Sequence, residues 1–105
     1  MSVYNKNNIL DATNKFRTIL DTTKNSQSTL MYLEPNQNIG MEIHKNTDQY
    51  VYILEGNGVA ILNGAEYDLS TNENFFVIIN AGVEHDIIAN DCGLKLMVIY
   101  TTILH

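Results

Sequence analysis

Residues 50–69, YVYILEGNGVAILNGAEYDL, decide the fold class. Residues 50–54 are a run of aromatic, β-branched and aliphatic side chains, which suits a strand. Gly56-Asn57-Gly58 follows. Both glycines tolerate positive φ, so the triplet predicts a hairpin. Residues 59–62 make a second strand, closed by Asn63-Gly64, a two-residue turn of the type I′ kind. Residues 66–69 return as a third.

The same rhythm continues in both directions. Upstream lie a strand over 29–33, a turn at Glu34-Pro35-Asn36, a strand over 39–44 and a polar bend over 45–48. Downstream come a polar turn over 70–74, a strand over 75–79, a turn at Ala81-Gly82, and strands over 83–89 and 94–103. Residues 75–79 show no polar alternation, which predicts burial on both faces. Short strands with a turn about every 8 to 12 residues indicate an all-β sandwich or barrel. No helical pattern separates them, which argues against a parallel α/β sheet. Residues 1–14 are polar and Asn-rich and predict a loose N-terminal arm. The next segment reads two ways. Phe16, Ile19 and Leu20 fit a short helix over 11–20, whereas the β-branched Thr18, Ile19, Thr22 and Thr23 fit a strand over 16–21.

A chain of 105 residues has room for one domain, here 15–105. Six Lys+Arg against 12 Asp+Glu give a net charge of -6. This excludes nucleic acid as the main partner, because no basic patch exists for phosphate, and it disfavours anionic membranes. The longest apolar runs, 75–79 and 96–100, are too short to span a bilayer. The opening MSVYNKNNIL carries no secretory pattern. Cys92 is the sole cysteine, so no internal disulfide forms, and the expected location is cytoplasmic. Cys92 sits in a predicted turn between Asp91 and Gly93 and reads as a spare thiol.

The chemistry lies around residues 39–49. On a strand over 39–44, Glu42 and His44 share a face, opposite Met41 and Ile43. Gln49 opens the next strand, and an antiparallel return places it near His44. His85 follows the Ala81-Gly82 turn. Two imidazoles, a carboxylate and an amide suit a divalent transition metal, with Zn, Mn, Fe, Ni and Co all open. Glu42, His44 and His85 alone would make a 2-His-1-carboxylate set with positions left for a ligand. On spacing alone, a Glu-x-His pair is more often a solvated strand face.

The segment from Gly40 to Gly56 resembles the first motif of the cupin superfamily, G-x5-H-x-H-x3,4-E-x6-G. Glu42 falls on its first histidine, His44 on its second, Gln49 on its glutamate and Gly56 on its last glycine. Asn80-Ala-Gly82-Val-Glu-His85 resembles the latter part of the second motif, G-x5-P-x-G-x2-H-x3-N. Gly82 and His85 are retained, Asn80 replaces the proline, Asn74 the first glycine and Ala89 the last asparagine. The likeness spans residues 28–102. Phe16-Arg17-Thr-Ile-Leu20-Asp-Thr22, Ile39-Gly40-Met41-Glu42-Ile-His44 and Asp48-Gln49-Tyr50 are also similar to small single-domain cupins of the mannose-6-phosphate-isomerase-like kind. There the Glu and Gln replacements look like the subgroup's own pattern.

The resemblance implies an antiparallel, double-stranded β-helix (jelly-roll β-barrel) and favours a strand over 16–20. It implies a divalent metal (Zn, Mn, Fe or Ni) on Glu42, His44, Gln49 and His85, a small polar, sugar-like molecule inside the barrel, and a homodimer. Glu42 is either a ligand or the base that moves a proton. Isomerisation and oxygen-dependent oxidation both fit. The alternative is a non-catalytic small-molecule-binding module with a degenerate metal site, since an amide oxygen carries no net charge and binds metals more weakly than a carboxylate.

The other candidates take structural roles. Tyr50, Tyr52, Tyr67 and Tyr100 read as core or rim packing, and Met31, Met41 and Met97 as gap fillers. Glu84 should point to solvent, opposite His85. Arg17, the sole arginine, is expected to pair with a carboxylate of the protein, with a substrate anion as the second option. His105 ends the chain and is assigned no role.

Overall fold

The computed structural model describes residues 1–102. The expectation for His105 and the end of the 94–103 strand lie outside the described residues. The elements are α1 (Lys6–Ala12), β1 (Thr18–Thr22), β2 (Ser26–Leu33), β3 (Thr47–Leu62), β4 (Ala65–Ser70), β5 (Phe76–Ile79) and β6 (His85–Thr102). Every pairing between these strands is antiparallel. The order is β1-β2-β6-β3-β4, with β5 on the first half of β3.

The fold is the expected all-β jelly-roll, built on two long strands. β3 and β6 pair from Thr47↔Thr102 to Leu62↔His85. Both bend midway, where the register shifts around Glu55 and between Gly56 and Gly58. The hairpin expected at Gly56-Asn57-Gly58 is therefore a bulge inside one continuous strand. The physical reason is close backbone approach. A β-carbon at Gly56 would collide with the carbonyl oxygen of Gly93, and Gly56 holds φ +85°. Cys92 is exposed in the matching offset of β6. Asn63-Gly64 makes the expected tight turn, with φ 48° and 85°.

The core follows the period of two. Met31 and Leu33 of β2, Val51, Ile53 and Ala60 of β3, and Ile87, Ala89, Leu94, Leu96 and Val98 of β6 are all buried in one cluster. Continued by two residues, the same inner face reaches Gln49, His85 and Tyr100. The polar site is thus the end of the hydrophobic core, reached by strands whose register the core fixes.

Several local expectations are corrected. The arm is not loose throughout: Asn5 caps α1 by accepting from the Asn7 and Asn8 amides, and Ile9 is buried against the sheet. The ambiguous segment resolves as β1. Residues 75–79 are not buried on both faces; Phe75, Phe76 and Ile78 are exposed and Ile79 is buried. Their outer faces join Tyr50 and Tyr52 in an aromatic cluster. Residues 39–44 form no regular strand. Gly40 at φ +105° breaks the ladder, leaving the isolated bridges Asn38↔Ile88 and Glu42↔His85. Met41 is half exposed and fills no gap. Met97 turns outward, with Leu20, Tyr52 and Leu54, toward a cavity under the arm. Among the described residues no helix is long and apolar enough to cross a membrane.

Candidate metal centre

Glu42 and His85 meet because their backbones exchange two hydrogen bonds, Glu42 N–H to His85 O at 2.8 Å and His85 N–H to Glu42 O at 2.9 Å. This corrects the expected fold-back of 39–44 onto the strand opened by Gln49. Residues 38–42 instead lie along the start of β6. The alternation survives: Glu42 and His44 project together and Met41 and Ile43 point out.

Other bonds tie down this irregular segment. Asp86 is buried at 5% exposure, and its carboxylate accepts from the Gly40 amide at 2.9 Å and the Asn38 side-chain amide at 3.1 Å. The Gly82 amide donates to His44 O at 2.8 Å. Asp48 accepts from the Ala81 amide at 2.8 Å. These contacts hold the backbones that carry Glu42, His44 and His85 against one another.

The side chains converge. One donor atom each from Glu42, His44 and His85 lies within 4.8 Å of the others. His44 Nε2 is 2.9 Å from Glu42 Oε2, donating its proton to the carboxylate. The rings of His44 and His85 stack at 5.4 Å. His85 Nδ1 is 2.9 Å from the Val83 carbonyl. A carbonyl only accepts, so Nδ1 carries the proton and Nε2 presents its lone pair. That lone pair accepts from Gln49 Nε2 at 3.3 Å. Gln49 therefore meets His85 rather than His44, and it is 4% exposed.

Tyr100 was read from the sequence as packing alone. It stands across from Gln49, and its ring meets the edge of His44 at 5.8 Å. Burial chiefly raises its pKa; Arg17 lowers it, Glu42 raises it and a hydrogen bond with Thr29 lowers it. Tyr100 thus stays a neutral donor at the edge of the site. The signal that finds it is the run Leu94, Leu96, Val98, Tyr100 on one strand face. Glu84 is exposed beside His85, as expected. Among the described residues Arg17 makes no ion pair; the pairs there are Glu42–His44 and Lys95–Glu55.

The donor set of two imidazoles and a carboxylate fits Zn, Mn, Fe or Ni. His85 has the orientation of a ligand whose far nitrogen is anchored to a backbone carbonyl.

Residues 29–100 match the Cupin_2 family, described as a cupin domain. YrkC of Bacillus subtilis is 36% identical over 103 residues, covering 93% of this chain and 55% of the relative. L612 of Acanthamoeba polyphaga mimivirus is 36% identical over 94 residues, covering 86% of this chain and 58% of the relative. The chain thus spans a little over half the length of these curated relatives. The crystal structure of BH2720 from Bacillus halodurans superposes with a TM-score of 0.87 at 26% identity, covering 100% of this chain and 83% of the other.

Proposed function

The chain belongs to the Cupin_2 family of cupin domains, and from that premise we propose that it holds a divalent transition metal on Glu42, His44 and His85. There it acts on a small polar, sugar-like molecule inside the barrel, in the isomerase-like manner of its mannose-6-phosphate-isomerase-like look-alikes. The supporting observation is the convergence of the three donors within 4.8 Å, with His85 Nε2 presenting a lone pair. A divalent ion supplies Lewis acidity to a carbonyl or hydroxyl oxygen.

The protein's own groups do the rest. To ligate through Nε2, His44 would carry its proton on Nδ1 instead of donating it from Nε2 to Glu42, a change of tautomer with no net release of a proton. Glu42 keeps a second carboxylate oxygen, which takes a proton from a carbon or hydroxyl and returns it. Tyr100 donates a hydrogen bond to a ligand oxygen. Gln49 donates to the same His85 Nε2 lone pair that an ion would take, so on ion binding its amide would turn to offer its oxygen as a fourth ligand. That neutral contact also favours the second reading, a binding module that holds its ligand without turning it over.

Elemental analysis of the purified protein tests the proposal. We expect about one equivalent of Zn, Mn, Fe or Ni, lost in the His44→Ala, His85→Ala double variant. A folded wild-type protein that neither contains nor takes up any of these ions refutes the metal reading. Two copies pairing through the exposed face of Tyr52, Phe75, Phe76 and Ile78 would give the implied homodimer. A monomer in sedimentation equilibrium at micromolar concentration refutes that pairing.

A further inference from the structure

The outer face of the sheet is apolar where a solvated face would be polar. Tyr52 and Leu54 of β3 and Met97 of β6 project there, because their neighbours Val51, Ile53, Leu96 and Val98 point into the core. Tyr52 stands directly opposite Met97. The arm crosses this face and is tied down along its length. Tyr4 donates its hydroxyl proton to Asp21 Oδ2 at 2.8 Å, Lys95 Nζ donates to Leu10 O at 2.9 Å, and the Tyr32 amide donates to Lys15 O at 2.9 Å. Ile9 is the one buried side chain of α1.

Held at these points, the arm roofs the face without filling it. A cavity of about 320 Å³ remains between Tyr4, Lys6 and Ile9 of the arm and Leu20, Tyr52, Leu54 and Met97 of the sheet. Protein interiors pack as densely as organic crystals, so an unfilled space of this size forfeits contacts for every group around it. Pockets that hold small molecules measure roughly 300–1,000 Å³, and this one lies at the small end. Lys6 is exposed and is the one charged residue of the lining. It has no ion-pair partner among the described residues. The Tyr4 hydroxyl has already committed its proton to Asp21. The opening thus offers one free ammonium above an apolar floor.

We propose that this cavity is a second ligand site, for a small monocarboxylate with an apolar tail, of the medium-chain fatty acid class. The tail lies between arm and sheet against Ile9, Leu20, Leu54 and Met97, and the carboxylate meets Lys6 at the opening. The unbranched, polarizable Met97 adapts to a flexible chain. A cationic head group would meet like charge at Lys6. A doubly charged phosphate would find a single cation in a chain of net charge -6. Lys95 does not serve, because it donates to Leu10 O and pairs with Glu55. The site lies on the face opposite Gln49 and His85, so it does not rest on the metal reading.

Calorimetric titration of the full chain with hexanoate, octanoate and octanol tests this. Each further buried methylene is worth about fourfold in affinity, so octanoate should bind roughly fifteenfold tighter than hexanoate. Lys6→Met should weaken octanoate by about fivefold, the upper range for an ion pair near the surface, and leave octanol unchanged. Leu54→Trp and Met97→Trp fill the cavity from two different strands. Each of them that folds should weaken octanoate by about tenfold or more, through the lost burial of the tail. The His44→Ala, His85→Ala variant should bind octanoate as wild type does. A wild-type protein that binds no octanoate at millimolar concentration overturns the proposal, as does unchanged affinity in a folded filling variant. Loss of octanoate in the double-histidine variant would place the acid inside the barrel and overturn it too. An unchanged octanoate affinity in Lys6→Met overturns the seat of the carboxylate. A dimer that the filling variants dissociate, with no octanoate bound, would make a second copy the occupant and refute the ligand.

Discussion

Replacing Asp86 with Asn removes one charge and turns one acceptor into a donor, at a place where both oxygens are in use. Oδ1 accepts from the Gly40 amide and Oδ2 from the Asn38 side chain. Hydrogen bonds to a charged acceptor contribute about 1.5–3 kcal/mol each, and neutral ones about 1. In Asp86→Asn the Gly40 bond survives at neutral strength, and the Asn38 amide must turn to accept from the new NH2, so that both charge-assisted bonds become neutral ones. The expected cost is about 2–3 kcal/mol, or roughly 10–20 °C in melting temperature for a domain of this size. Adding Asn38→Asp reverses the pair, so that Asn at 86 donates to Asp at 38. About 1–2 kcal/mol should return, on the scale of hydrogen bonds to charged groups. Asn38→Asp alone places two carboxylates together and destabilises. Urea unfolding of the four proteins gives the coupling energy directly. If the two single effects add to within about 0.5 kcal/mol, the side chains do not act as a pair and the account of how this segment is held is wrong.

Three further outcomes follow from the geometry. Zinc at about 100 times its dissociation constant should stabilise the protein by about 2.7 kcal/mol, a melting shift of about 10 °C or more that a chelator reverses and the His44→Ala, His85→Ala variant lacks; no shift at any zinc concentration counts against the centre. Burial chiefly holds the Tyr100 pKa above its ordinary value. Its stabilising contribution is therefore complete below about pH 10 and is lost as pH rises toward the raised folded-state value. Tyr100→Phe should remove that part of the alkaline loss in urea midpoints, leaving the part due to Tyr4, whose pKa is raised mainly by its hydrogen bond to Asp21; an identical alkaline slope refutes it. Gly64→Ala meets open space and should cost only the left-handed backbone penalty of about 1–2 kcal/mol. Gly56→Ala adds the collision with Gly93 O, so equal urea midpoints for the two variants would contradict the close approach at the bulge.

The fold was legible because strands carry their faces in a period of two, and Asn63-Gly64 fixes its turn by local chemistry. Glu42 beside His44 was legible for the same reason. What failed was punctuation. A Gly-x-Gly triplet signals a hairpin and a bulge with the same residues, and only the approach of Gly93 decides between them. An apolar run such as 75–79 does not say whether both faces are covered; here Phe75, Phe76 and Ile78 are not. Gln49 was placed in the right region with the wrong neighbour, since pairing of 38–42 with β6 depends on contacts more than 40 residues away, such as Glu42↔His85. Asp86 was missed because nothing local distinguishes a carboxylate that braces a loop from one that faces water. Tyr100 was misread because its importance comes from what stands opposite.

The β3–β6 ladder joins partners that are far apart in the chain, from Leu62↔His85 to Thr47↔Thr102. Pairings of this kind delay folding, because a large loop must close before any contact rewards it. The ladder has its shortest loop at the Leu62↔His85 end, so zipping should begin there and run toward the termini. His85 would then be in place early, and Tyr100 would arrive with the last rungs. During synthesis the candidate site therefore stays incomplete until β6 has left the ribosome, and under the proposed metal reading cation capture would be a late event in maturation that reports a finished barrel.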